Sequence, residues 1–479
     1  MASDQIIIRL KIDVDILDSD DLIAVADHHG LINLRDLLVS ESLQSERVVS
    51  SVPIPVLLRQ EAEARKTRFP PIHSITWYWR VDASGRHVQS VLAQFQALVP
   101  DELSLAYVES RVGLASAVPV DSLSLSASAK TYLDEASWGV DARWAWTQPG
   151  GAGQKVRLID LEKGWIVGHE DLPGFSIQQG GNAPNTAPEY PRDHGAAVLG
   201  VIAGKHDGKG ASGIAYALDA LNVVSHYRES DGTDYHIADA INVAQTHLGR
   251  GDVLLLEVVR YPGLATKAYP TEVDPADHTA IRAAVAAGIV VIEAAGNSST
   301  TLNGMLDPVD SGAIIVGSCW PPTGPGAPTG LRRRADSNHG DRVDCFSWGD
   351  AIHTAGYGDD GGNHGEIDSY TKVFKRTSGA SAIIAGVAAV VQSWVKKRCV
   401  MPLDSEQMRT VLENPNTGTP QADIAGTPPD TIGVMPNLKQ ILGLGLWIKV
   451  VMWCLKRRFR RLLAIAYVPK FNHREHKHE

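Results

Sequence analysis

The chain is poor in the residues that would mark it as a stapled or metal-built protein. Its 479 residues include four cysteines, Cys319, Cys345, Cys399 and Cys454. Four thiols in so long a chain do not make a disulfide scaffold, and none forms a CxxC pair of the kind that holds zinc. We expect free, mostly buried thiols, with a Cys319–Cys345 bridge as the alternative. Aromatic residues are only 6%, and basic residues (45) are outnumbered by acidic ones (55), for a net charge of −10. That balance argues against a protein that is basic throughout and coats nucleic acid, so no nucleic-acid partner is expected. The opening MASDQIIIRLKIDVDILDSDD lacks a basic segment followed by an apolar one. Without that secretory pattern, a cytoplasmic protein is the expectation. No internal repeat of 20–50 residues is evident.

What remains is ordinary globular composition, 44% hydrophobic and 21% charged, long enough for two or three domains. Three regions differ in texture. In residues 1–112, QIIIRLKI, SITWYWRV and LSLAYVESRV are β-rich, and His87–Leu98 places Val88, Val91, Leu92, Phe95 and Leu98 on one helical face. This predicts a small α+β module of ferredoxin-like type. Residues 113–135, rich in Ser and Ala, read as a linker. Residues 136–443 alternate apolar strand-like runs (VRLID, LDALNVV, DVLLLEVV, IVVIEAAGN, GAIIVGS) with helix-like ones. That pattern predicts an α/β domain, a mostly parallel sheet sandwiched by helices. In such sheets chemistry collects just past the carboxyl ends of the strands.

Residues 444–479 carry nine Lys and Arg against Glu475 and Glu479. Lys449, Lys456 and Arg460 fall on one helical face, and Trp447, Val451 and Leu455 on another. The apolar run is broken by Lys449 and is short of the roughly 20 residues of a membrane span. The two readings are a peripheral membrane helix and a helix that covers the preceding domain.

Four segments carry chemistry. In Arg376-Thr377-Ser378-Gly379-Ala380-Ser381, a serine opens a long apolar helix among small neighbours, where backbone and substrate can approach and the helix dipole favours negative charge. In Asp193-His194-Gly195, a histidine opens a helix of small residues. The strand Val156–Asp160 ends in an aspartate able to hold an imidazole in one tautomer. The strand Ile289–Ala294 runs into Gly296-Asn297, whose carboxamide can serve an oxyanion. Each alone has a plain structural alternative: an N-cap serine, a surface histidine, turn residues.

Together and in this order, the segments resemble the subtilases. The subtilase serine motif GTSxASP is matched by RTSGASA, HGTxVAGxIA by HGAAVLGVIAG, and V-x-D-[ST]-G by LIDLEKG; AAGN is present unchanged. The resemblance extends over about residues 138–443. It implies a serine endopeptidase acting on a polypeptide substrate, with Ser378 as nucleophile, His194 as base, Asp160 as the orienting carboxylate and Asn297 in the oxyanion hole. It implies substrate contact at Gly296 and at Glu257, which stands in DVLLLEVVR where subtilases carry a serine; a carboxylate there predicts a taste for basic residues. It further implies that the N-terminal module is a prodomain-like intramolecular partner, cut off by autocleavage within 113–135. No cofactor is required by this chemistry. Calcium often stabilises subtilases, but the acids of EKGWIVGHEDL have no calcium-site spacing and no metal site is assigned.

The pattern breaks at Arg376 and Ala382, which replace a glycine and a proline, and at the LEKGW that follows Asp160. A catalytically silent binding protein on the same fold, with Arg376 obstructing the serine, is therefore the second reading. A membrane-associated effector driven by the tail is the third.

Overall fold

A computed structural model describes residues 5–11, 19–67, 73–99, 101–109, 111–114, 131–178, 189–208, 210–227, 236–262, 266–304, 310–322, 331–399, 401–422 and 430–443. Most of the linker, the basic tail and Cys454 lie outside the described residues.

The N-terminal module is a four-stranded antiparallel sheet built from β1 (Gln5–Leu10), β2 (Gln44–Arg47), β3 (Tyr78–Asp82) and β4 (Leu103–Val108), in the order β2-β3-β1-β4. Its helices are α1 (Leu22–His28), α2 (Ile32–Ser40), α3 (Ile54–Ala64) and α4 (Val88–Ala97). This is the strand order of a ferredoxin-like sandwich. Alternation along β1 explains why a three-isoleucine run is needed. Ile6 and Ile8 join the core under α1, α2 and α4. Ile7 faces the other way, onto the helices of the following domain. Both faces of the strand are therefore dry.

That second face makes the module part of one packed body with the rest. Val48, Val49, Val52, Leu57, Ile75 and Tyr78 share a core with the helices α7 and α8 described below. Polar contacts cross the same seam. Arg80 pairs with Glu109, and Arg260 reaches both Glu109 (3.5 Å) and Asp277 (2.9 Å). Tyr107 Oη donates to Asp274 (2.8 Å), and Ser51 donates to Asp239 through its N–H and its hydroxyl. Buried charges of this kind are tolerated because each is paired.

The chain then adds β5 (Arg111–Leu114), passes α5 (Ala142–Trp146) and enters a nine-stranded sheet. Its strands are β6 (Arg157–Glu162), β7 (Ser176–Ile177), β8 (Ala220–Ser225), β9 (Val253–Leu256), then, past β10 (Val258–Tyr261) and β11 (Tyr269–Pro270), β12 (Val290–Ala294), β13 (Ile314–Cys319) and β14 (Cys345–Trp348). Beyond the hairpin β15 (Ile352–Ala355) and β16 (Tyr370–Phe374), β17 (Gly418–Pro420) and β18 (Val434–Pro436) complete it. The order is β17-β18-β14-β13-β12-β9-β6-β8-β7, parallel except for the β17–β18 edge. Helices α6 (Glu189–Ala203), α7 (Ile237–His247), α8 (Pro275–Ala286) and α9 (Arg376–Arg398) pack around it. α9 is long and apolar enough to cross a membrane, yet its apolar stretch is wholly buried. It is a core helix, lying across β9, β12, β13 and β14 and against α6. Small residues let it do so. A Cβ on Gly386 would come within 2.8 Å of Ile214.

Cys319 and Cys345 are buried free thiols on neighbouring strands, not a disulfide. Burial pushes both thiols upward in pKa.

Candidate active site

Four polypeptide ends converge past the carboxyl edge of the parallel sheet, as expected for this architecture. They are the end of β6, the turn after β9, the turn after β12 and the N-terminal turn of α9. α6 brings His194 to them. Asp160, Glu162, His194, Glu257 and Ser378 are all 0% exposed.

Ser378 is the third residue of α9. The turn that delivers it is fastened by Asn297, whose Oδ1 accepts from the Thr377 N–H (3.1 Å) and from the Thr377 hydroxyl (2.9 Å). With the carbonyl end thus occupied, the Asn297 carboxamide presents its NH2 as the donor. Gly296 holds φ +97°, and a Cβ there would sit 2.6 Å from Asn338 Nδ2, so only glycine fits the turn that aims Asn297.

His194 Nδ1 is bonded to Glu162 Oε1. The ring meets Phe374 edge-on at 5.5 Å between centroids, and Nε2 makes no hydrogen bond among the described residues. Burial pulls the imidazole down to about 4, against an upward pull from Asp160. Burial also raises Glu162 and Asp160 well above the carboxylate range, Asp160 further so because Glu162 is close.

Asp160, expected from the sequence to orient His194, does not make that bond. Its Oδ2 accepts from the Trp165 indole N–H at 2.7 Å. The physical reason lies in the strand. Positions 160 and 162 share one face of β6, two residues apart. Asp160 sits level with Val223 and Leu255 inside the ladder. Glu162 is the last residue of the strand, beyond its final partner on β9, and its side chain is one methylene longer. Sequence reasoning missed Glu162, although the LEKG that replaces the usual Ser/Thr-Gly was the available signal.

Glu257, expected from the sequence to favour basic residues in the substrate, is 0% exposed and links the two halves of the site. It follows β9, and its N–H donates to the Leu161 carbonyl (3.1 Å). Its Oε1 lies 2.5 Å from Ser381 Oγ, which is 2.7 Å from the Thr377 carbonyl. The Ser381 hydroxyl has one proton to share between Glu257 Oε1 and the Thr377 carbonyl. Burial first, then the charges of Glu162 and Asp160, push Glu257 well up. The Ser378 hydroxyl lies near enough to temper this rise, while Ser378 Oγ makes no well-formed hydrogen bond among the described residues.

Arg376 takes the strained backbone that a glycine would accept freely, φ +71°. Its side chain turns to Asp336, with Nε 3.1 Å from Oδ2. Among the described residues no group of three or more His, Cys, Asp or Glu is arranged to hold a metal ion.

One more element meets the site. β10 continues directly from Glu257, and β5 runs antiparallel along it, with Leu114 opposite Val258 and Val112 opposite Arg260. β11 covers its other side. A segment that follows the N-terminal module therefore occupies the strand edge next to the nucleophile.

A solved structure with comparable architecture is that of fervidolysin from Fervidobacterium pennivorans, a keratinolytic enzyme related to subtilisin. It aligns with a TM-score of 0.59 at 18% identity, over 92% of this chain and 61% of that one. At that identity the likeness shows the fold. The sequence itself matches the subtilase family over residues 169–426, more than half of the chain, and the match contains His194, Glu257, Asn297 and Ser378. The chain belongs to the subtilase family. Among curated relatives, a subtilisin-like protease of Coccidioides posadasii is 29% identical over 244 residues, half of this chain and 53% of that protein. The minor extracellular protease Epr of Bacillus subtilis is 29% identical over 186 residues, 35% of this chain and 28% of that protein. The chain thus spans about half or less of the length of these relatives.

Proposed function

We propose that the protein is a serine endopeptidase. Family membership supports a peptidase. The observation that carries the reading is the buried constellation of Ser378 at a helix N-terminus, a carboxylate-held His194 and Asn297 with its amide donor available. Ser378 Oγ attacks the scissile carbonyl carbon, and its proton passes to His194 Nε2. The carbonyl oxygen becomes an oxyanion and takes hydrogen bonds from the Asn297 NH2 and the N-terminal turn of α9. Collapse breaks the C–N bond, and the amine leaves with the proton from His194. Water then repeats the sequence on the acyl-enzyme and frees Ser378. The role of β10 is to pair with extended substrate backbone. β5 fills that role in the uncut chain, so the N-terminal module acts as an intramolecular inhibitor until the chain is cut within 113–135.

A silent protein would need an obstructed serine. The turn of Arg376 toward Asp336 leaves that alternative without its obstruction. The decisive experiment is labelling of the full chain with a fluorophosphonate probe. Wild type is expected to label and to hydrolyse a fluorogenic peptide, and to shorten on prolonged incubation. Ser378→Ala is expected to do none of these. Labelling that persists in Ser378→Ala, or none in the full-length wild type after prolonged incubation, would refute the reading.

A further inference from the structure

The segment Leu161-Glu162-Lys163-Gly164-Trp165 follows Asp160 along the end of β6. It makes two contacts at once. Its glutamate reaches the Nδ1 of His194, and its tryptophan takes the oxygen of Asp160. The two contacts are mechanically linked. α6 presses against this turn at the histidine itself: a Cβ on Gly195 would stand 2.2 Å from the Gly164 carbonyl and 2.5 Å from Trp165 Cδ1. The turn is fixed in turn by Ser225, whose hydroxyl donates to the Lys163 carbonyl at 2.9 Å. A carboxylate whose oxygen already accepts an indole N–H, one step further inside the sheet, is poorly placed to serve as the imidazole's partner. A carboxylate at the strand's last residue, with its ladder on β9 finished, is free to serve.

We propose that Glu162, rather than Asp160, is the positioning residue for His194, with Asp160 held by Trp165 as a second carboxyl of the site. The assignment rests on the serine-peptidase reading above. In the competent state the proton shared between Glu162 and His194 sits on Nδ1. That fixes the tautomer, leaves the Nε2 lone pair for the Ser378 proton, and sets a negative carboxylate beside the imidazolium that forms on proton transfer. Asp160 contributes through its field on the same ring. No other reactant is needed, since the proton moves only between Ser378, His194 and the leaving amine.

The test uses the full chain with Glu162→Gln, Glu162→Asp, Asp160→Asn and Ser378→Ala, each checked by thermal unfolding. Kinetics on a fluorogenic peptide is paired with proton NMR of the low-field Nδ1–H resonance of nitrogen-15-histidine-labelled protein. We expect Glu162→Gln, which cannot hold the required tautomer, to lower kcat by about 10³–10⁴-fold with little change in KM. It should also abolish the low-field resonance. Glu162→Asp should recover part of both. Asp160→Asn should lose about tenfold or less and keep the resonance. A loss of that resonance in Asp160→Asn but not in Glu162→Gln would overturn the assignment, as would equal losses of kcat in the two variants. Failure of the underlying reading is separately visible, because then Ser378→Ala would match wild type in turnover while the resonance still reports which carboxylate holds the ring.

Discussion

At Arg376 the backbone and the side chain pull in different directions. A φ of +71° disfavours a residue with a Cβ by roughly 1–2 kcal/mol. The ion pair with Asp336 is partly exposed, so it returns about 0–1 kcal/mol. The strain persists because the Arg376 N–H is tied to the Gly349 carbonyl at 2.7 Å, which starts α9 and so places Ser378. Comparing two substitutions separates the terms. Arg376→Ala keeps the strained φ and loses the pair, while Arg376→Gly loses the pair and relieves the strain at some cost in chain entropy. Arg376→Gly is expected to be the more stable of the two by about 1 kcal/mol and to label with fluorophosphonate at the wild-type rate. Equal unfolding midpoints by denaturant titration would show that the backbone there is not strained. A strong loss of labelling in both would show that the side chain, rather than the turn, serves the site.

Among elements, the legible ones were those whose sequence periodicity is decided locally. β6, β8, β9, β12 and β13 are apolar runs because both faces of a parallel sheet are covered, and β1, β3, β4 and α4 follow their own alternation. α1, α2, α3 and β2 were missed; the helices' apolar faces are short, and β2 reads QSER, with no apolar residue. The candidate site was legible residue by residue at Ser378, His194 and Asn297. Which carboxylate meets His194 was not, because period two puts Asp160 and Glu162 on the same face, and where the β9 ladder ends and where Trp165 points are set by the tertiary fold. The burial of Glu257 was not legible either, since it depends on α9 packing above it. β5 was the hardest. The boundary read at residue 112 cuts through it, as its partner β10 lies far along the chain and leaves no local trace. If β5 blocks the edge of β10, prolines at Val112 and Gly113 should open it, because each removes an N–H and fixes φ. Only one of these two neighbouring N–H groups faces β10 in an antiparallel ladder, so loss of one hydrogen bond, at about 1 kcal/mol, predicts labelling of Ser378 that is about fivefold faster than in the uncut wild type. An unchanged rate in the uncut chain would remove β5 from any inhibitory role.

Across the whole molecule, the surplus of acidic residues is partly stored inside, and that sets how stability responds to pH. The clearest case joins the turn after β11, the strand β12, the loops before β13 and β14, and the helical segment Ser405–Leu412. Four acids (Glu272, Glu293, Asp310 and Asp344) face two arginines, Arg342 and Arg409. Arg342 pairs with Glu272 (2.8 Å), Asp344 (2.9 Å) and Asp310 (3.4 Å), and Arg409 pairs with Asp310. Two positive charges face four negative ones, of which Glu272 and Glu293 are buried, and this favours a proton on one buried acid. Asp310, paired with both arginines, is pushed far down. Glu293 is the acid left over: burial, then Glu272, push it up to about 8, although its Oε2 accepts from the Thr271 N–H at 2.9 Å. The sign follows from proton counting. Unfolded Glu293 loses its proton near 4.5 and folded Glu293 near 8, so over that range the native state binds more protons than the unfolded state, and stability falls as pH rises. The contribution is complete below about pH 4.5 and gone above about pH 8. Glu293→Gln, which imitates the protonated acid, should unfold within about 1 kcal/mol of wild type at pH 5 and be more stable by on the order of a few kcal/mol at pH 9. Thermal unfolding of Ser378→Ala backgrounds from pH 5 to 9 measures this without self-digestion. Parallel pH curves for the two proteins would mean that Glu293 is ionised in the fold and that a different acid of the cluster carries the proton.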